Sequence, residues 1–130
     1  MELRGDDKES LVIECSMRDD DILLNVTINV RGYSAADQAW VAAGDWHAFL
    51  KELYELERRR QGFATLTGAD PHELKLVFQA TDRAGHMAVT GFMGRQTSED
   101  FYQKLEFGLS FDAGVLQTLV KELEKVGQQT

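Results

Sequence analysis

The stretch Leu74–Met93, LKLVFQATDRAGHMAVTGFM, decides the fold, because two alternating strand patterns meet there at one turn. Aspartate is favoured at the first position of a type I turn and glycine at the last, so Asp82–Gly85 is predicted to form a four-residue hairpin loop. Pairing Thr81 with His86 then places apolar or neutral pairs together on one face. These pairs are Ala80 with Met87, Phe78 with Val89, Leu76 with Gly91 and Leu74 with Met93. Turn chemistry therefore explains the segment without catalysis, and His86 is expected on its solvent face.

Strand patterns also dominate the first third of the chain. Alternating apolar and polar residues in Ser10–Met17 and Ile22–Val30 predict two half-buried strands joined by the acidic turn Asp19–Asp21. A weaker third strand is expected from about Ala35 to Val41. The charged residues 1–9 are expected to form a flexible N-terminal tail.

Two segments have the apolar spacing of amphipathic helices. The first extends between Asp45, a candidate N-cap, and Gly62, a candidate stop; the second extends between Asp112 and Gly127. Further strand patterns between them give the order βββ-α-ββββ-α. Hairpin-length links imply antiparallel pairing, so we expect an α+β fold in which a single antiparallel sheet of about six to seven strands is packed by two helices. The length predicts one domain over residues 1–130.

The charge of the chain limits its partners. The net charge is −8, and residues 1–21 alone contribute −5, from eight acidic and three basic residues. Nucleic acid and anionic membranes are poor partners for such a surface, whereas a basic protein is attracted to it. An acidity that serves only solubility stays equally open.

The ends and the cysteine content suggest a compartment. The charged start is unlike a secretory signal, no apolar run is long enough to span a membrane, and the single Cys15 permits no internal disulfide. We therefore expect a cytoplasmic protein, as a monomer or homodimer.

No catalytic motif is recognisable. The chain lacks a nucleophile elbow, a P-loop and a dinucleotide-binding glycine motif, and its three histidines, His47, His72 and His86, lack the spacing of a helical metal site. Cys15 lies among apolar residues that keep a thiol inert. We expect no enzyme activity, no cofactor and no metal, although histidines distant in sequence can converge in space.

A protein-binding surface is the remaining candidate site. Aromatic residues beside carboxylates suit a cationic partner, and they occur around the third strand and the acidic turn. The candidate partner-binding residues are Asp19, Asp20, Asp21, Tyr33 and Asp37. Trp40 is interpreted as a core residue beneath the first helix.

Three segments resemble the small bacterial immunity proteins of the WapI type: AWVAAGDWHAFLKELYELE, LKLVFQATDRAGHMAVTG and LEFGLSFDAGVLQTLVKELEKV. The resemblance extends from about Ile22 to Val126 and includes no catalytic signature. It implies a non-catalytic immunity protein that binds and blocks a cognate bacterial toxin domain, which in such families is often a nuclease. The resemblance assigns no binding residue.

Other functions stay open at this point. An acidic chaperone for a secreted effector would have the same size and charge. A small enzyme or ligand-binding protein with an unrecognised site, and a structural or regulatory subunit, are further alternatives.

Overall fold

The computed structural model describes residues 2–6, 8–82, 85–97 and 100–126. Within these ranges the chain forms eight strands and two helices. They are β1 (Glu2–Arg4), β2 (Ser10–Arg18), β3 (Asp21–Val30), β4 (Tyr33–Val41), α1 (Ala43–Arg59), β5 (Phe63–Thr67), β6 (Leu74–Ala80), β7 (His86–Thr97), β8 (Phe101–Asp112) and α2 (Ala113–Val126).

The strands form two sheets, so the expectation of a single sheet of six to seven strands is wrong. Sheet A has the order β1-β2-β3-β4 and sheet B has the order β5-β6-β7-β8, all antiparallel between neighbours. Short turns fix which consecutive strands pair, but α1 lies between β4 and β5 and carries the chain to a second sheet. The α+β class is retained.

The described elements follow the order ββββα twice, although the sequence shows no repeat. The two halves interlock, because α1 packs on β5 and β6 of sheet B and also contacts β3 of sheet A. Helix α2 contacts β2 of sheet A and β8 of sheet B, and the two helices contact each other. The inner face of each sheet is therefore the face that meets the helices.

Aromatic rings connect α1 to sheet B in the core. The ring of Trp46 lies 5.8 Å from that of Phe49, which lies 5.7 Å from Phe78, and Phe78 lies 6.3 Å from Phe111. Such tilted and edge-on pairs add to the free energy of burial. The predicted apolar stripe of α1 is thus buried, with Trp46, Phe49, Leu53 and Leu56 inside.

The N-terminal segment differs from the expected flexible tail. Glu2–Arg4 pair with β2, with Leu3 opposite Leu11, and the Leu3 side chain is fully buried. A single apolar residue among charges gives too short a pattern for a strand to be predicted.

The central hairpin has the predicted register. Leu74, Leu76, Phe78 and Ala80 pair with Met93, Gly91, Val89 and Met87. The Thr81 N–H donates to the His86 carbonyl at 3.0 Å, and Gly85 has a positive φ of 98°. Arg83 and Ala84 of the predicted loop lie outside the described residues. A Cβ atom at Gly91 would lie 1.9 Å from the Lys75 carbonyl oxygen, so only glycine fits in that pair.

The helix ends match the predictions in part. The Gly114 N–H donates to Asp112 Oδ1 at 3.1 Å, so Asp112 caps α2 as predicted. Helix α1 instead begins after Ala42, with no side-chain cap, so Asp45 is not its N-cap. Its last helical residue is Arg59, and Arg60, not Gly62, is the C-cap in the left-handed conformation. Gly127, the predicted stop of α2, lies outside the described residues. Neither described helix is long and apolar enough to cross a membrane.

Candidate partner-binding surfaces

The two sheets leave an open cleft between their inner faces at one end of the molecule. Its volume is about 350 Å³, and its walls are β4 on one side and β7 with β8 on the other. The lining residues are Ser34, Ala35, Ala36, Asp37, Met93, Gly94, Arg95, Gln103, Lys104 and Leu105. Tyr33, which is 68% exposed, and Phe101, which is 67% exposed, begin the two strands that form the rim.

Arg95 links the two sheets across this cleft. Its Nε donates to Asp37 Oδ2 at 2.5 Å, and its Nη2 donates to the Gln38 carbonyl at 2.8 Å. Its Nη1 lies 3.6 Å from Glu73 Oε1. One guanidinium therefore holds the edge strand of sheet A against β7 of sheet B, using the several donors that distinguish arginine from lysine.

The Asp37 carboxylate is stabilised in its charged form. Burial raises the pKa of Asp37, but the hydrogen bond from Arg95, the Gln38 N–H and the charge of Arg95 outweigh burial and lower the net pKa below the ordinary value of 3.8. A carboxylate already neutralised by a guanidinium has less attraction left for a cationic partner. The Asp37 carboxylate in the cleft is therefore already paired with Arg95.

The structure separates the five candidate partner-binding residues into two places. Tyr33 and Asp37 lie four residues apart on β4, so their side chains point to the same face, which is the cleft side. Asp19 and Asp20 form the two-residue β2–β3 turn, with φ of 51° and 75°, and Asp21 begins β3. Because β3 has ten residues, the turn lies about 30 Å from Tyr33 along the strand.

Trp40 is not a core residue, so that interpretation is wrong. Its side chain is 45% exposed and shares the outer face of sheet A with Leu23, its partner on β3. The buried tryptophan beneath the helix is Trp46. The sequence offered two tryptophans six residues apart, and strand parity is what separates them: Ala39 and Val41 point inward, so Trp40 points outward.

The other candidate reactive groups are structural or exposed. Burial raises the pKa of the Cys15 thiol to about 12, as its apolar neighbours predict. His86 Nδ1 lies 2.8 Å from Asp82 Oδ2 at the exposed hairpin end, and His72 Nδ1 lies 3.3 Å from Asp70 Oδ1. In the part of the chain that the structure describes, no three metal-ligating side chains group together.

The sequence profile of the immunity protein WapI-like family matches residues 2–130. The chain belongs to this WapI-like family. The match includes the hairpin and both helices on which the resemblance was based. None of the curated protein sequences matches the chain.

One solved structure has a similar fold. It is described as "Crystal structures of trypanosoma bruciei MRP1/MRP2", and it aligns with 99% of this chain and 85% of its own with a TM-score of 0.55. The sequence identity is 13%, so the likeness concerns the fold alone.

Sequence reasoning missed two residues of these surfaces. Arg95 stands 58 positions from Asp37, and nothing local indicates that they meet. The exposure of Trp40 could have been found from the alternation of β4. If Val41 is assigned to the inner face, its neighbour Trp40 must point to the outer face.

Proposed function

We propose that this WapI-like protein is a non-catalytic immunity protein, which binds a cognate toxin domain and blocks its activity. The observation that carries the proposal is the family match over residues 2–130. An inhibitor of this kind needs a surface complementary to its target and no reacting groups of its own. The loss of toxin activity should therefore be proportional to the fraction of toxin molecules that this protein has bound.

The charge supports a basic toxin as the partner. At −8 the protein attracts a cationic domain over distances of about a Debye length, roughly 8–10 Å at physiological salt. A nuclease domain fits this description, because the groove that holds a phosphate backbone is basic. An acidic inhibitor could both approach such a groove quickly and occupy it.

The proposal places the protein in the cytoplasm, as a monomer or homodimer, where a toxin made by the same cell or delivered by a neighbour would act. It retains Asp19, Asp20, Asp21, Tyr33 and Asp37 as partner-binding candidates. Of these, the turn carboxylates are exposed and Tyr33 is accessible, while Asp37 already has Arg95 as its partner.

Growth protection tests the function in cells. The toxin domain that co-purifies with the protein from its native cells is placed under an inducible promoter in a heterologous bacterium. We expect growth arrest on induction and restored growth when this protein is co-expressed. Absence of protection, with both proteins present at comparable levels, would contradict the proposal.

The core variant Leu53→Asp is the control for folding. Leu53 is fully buried in α1, so a charge there should unfold the protein and abolish protection.

A chaperone would give a different result: it would bind an unfolded segment of the effector and leave the activity of the folded domain unchanged.

A further inference from the structure

The outer face of sheet A has one row of uncharged side chains that ends in a large aromatic residue, Trp40. Across the three strands, Ser16 pairs with Leu23, and Leu23 pairs with Trp40. On the next row, Asn25 accepts a hydrogen bond from the Gln38 side chain at 2.9 Å. We call this surface the Trp40 face; its residues are Ser16, Leu23, Asn25, Gln38 and Trp40, with the turn Asp19–Asp21 at its border.

The side chains of the Trp40 face are accessible, because Gln38 and Trp40 are exposed and Ser16, Leu23 and Asn25 are half-buried. The helices pack on the opposite face of sheet A, where the buried residues of β2, β3 and β4 point. Trp40 remains 45% exposed, which is unusual for the residue type that most often anchors protein interfaces.

Strand addition at the neighbouring edge is blocked. The Trp40 carbonyl accepts from the Ala69 N–H at 2.6 Å, and the Gln38 carbonyl accepts from Arg95 at 2.8 Å. The Gln38 N–H donates to the Asp37 side chain at 2.8 Å. A partner at this end of β4 would therefore contact the face and not extend the sheet.

The charge around the Trp40 face selects a cationic partner. Asp21 and Leu23 are two residues apart on one strand, so the turn carboxylates lie beside the apolar row that ends in Trp40. Four carboxylates (Glu14, Asp19, Asp20 and Asp21) lie beside this surface, against the one guanidinium group of Arg18. Glu2 and Arg4 lie farther along the outer face, on β1, and pair with each other at 3.1 Å. An exposed indole bordered by carboxylates suits an arginine or lysine side chain stacked on the ring.

We propose that the Trp40 face is the docking surface for a basic, folded protein domain, with a cationic side chain of that domain on the Trp40 ring. This inference rests on the proposed function, since the domain is the toxin that the protein blocks. It moves the centre of the interface away from Tyr33 and Asp37 at the cleft.

Binding of the purified toxin domain to variants of the intact protein tests the surface. Trp40→Ala should weaken binding by at least about tenfold, mainly through faster dissociation. Tyr54→Ala is the matched control, because Tyr54 is a similarly exposed aromatic residue on α1, away from sheet A's outer face. It should bind like the wild type.

A second pair of variants keeps the test independent of Trp40's contribution to folding. Ser16 lies two strands from Trp40, about 10 Å away, and a lysine or glutamate there has similar bulk. Ser16→Lys should weaken binding by about tenfold through repulsion, whereas Ser16→Glu should stay within about threefold of wild type.

A third pair of variants tests whether the turn carboxylates speed association with the toxin domain electrostatically. Asp19→Asn with Asp20→Asn removes two charges and keeps side chains that tolerate positive φ. Association should slow by about threefold or more at low salt, and its salt dependence should flatten. Asp45→Asn with Glu124→Gln changes the net charge equally on the helices, and association should change less.

The outcomes separate the two proposals. If the wild type inhibits the toxin and both Trp40→Ala and Ser16→Lys bind it unchanged, the docking surface lies elsewhere and this inference is overturned. If the wild type neither binds nor inhibits the toxin, the proposed function fails, and the inference fails with it. Protection of Trp40 from acrylamide quenching in the complex would support the surface directly.

Discussion

At the scale of single residues, local chemistry accounts for what the sequence predicted. The hairpin glycine, Gly85, has the expected positive φ, and Asp82 Oδ1 accepts a hydrogen bond from the His86 backbone N–H at 3.3 Å, as turn preferences predict. The cap of α2 was predictable for the same reason, because it needs only the Asp112 side chain and the Gly114 backbone N–H two residues ahead. Residues whose partners are distant in sequence, such as Arg95, were missed.

The His86–Asp82 pair gives a prediction at this scale. The hydrogen bond and charge of Asp82 raise the pKa of His86 above its ordinary value of 6.5. A raised folded-state pKa means that the pair stabilises the fold below the unfolded-state value, and that this contribution is lost as pH rises through the folded-state value. In Asp82→Asn, an NMR titration should show a lower His86 pKa. Asp20→Asn should leave it unchanged; an equal shift in both variants would contradict the pairing.

At the scale of elements, hairpin registers were predictable and the joining of the two sheets was not. Alternating patterns set β6 against β7 correctly, because a one-residue slip would turn every apolar side chain outward. The pattern of an edge strand says nothing of what lies beside it. The contacts of β4 with sheet B therefore appear only in the structure.

Arg95 should stabilise the contact between the sheets. Asp37 and Arg95 are each about 40% exposed, with side-chain values of 38% and 41%, so solvent screening limits their coupling to about 0.5 kcal/mol. A double-mutant cycle of Asp37→Asn and Arg95→Gln, measured by urea unfolding, should give a coupling of that size. It should disappear as pH falls through the lowered pKa of Asp37, since a protonated carboxyl has no charge to pair. A coupling that persists in acid would contradict the ion pair.

At the scale of the whole molecule, the sequence predicted the class and missed the number of sheets. Apolar spacing establishes that strands and helices each have an inner face, but many arrangements of those faces satisfy the same pattern. The first strand was missed because its only buried side chain is Leu3. The family resemblance, in contrast, was confirmed over the whole described chain.

Leu3 provides the test of that architecture. Its side chain is fully buried between β2 and the rest of the core, so Leu3→Ala should lower the free energy of unfolding by about 2–5 kcal/mol. Glu2→Ala, one residue away and exposed, should change it by less than about 0.5 kcal/mol. Denaturant unfolding of both variants measures the difference, and equal small effects would indicate that β1 is only a tail.

The measurement that tests the central claim most directly is a titration of the toxin domain's activity with this protein at concentrations well above the dissociation constant. An inhibitor that acts by occupying its target should lower the activity linearly to zero at a fixed stoichiometric ratio. Full activity in the presence of excess protein would contradict the immunity function. Complete loss at far below stoichiometric amounts would instead show that the protein is an enzyme.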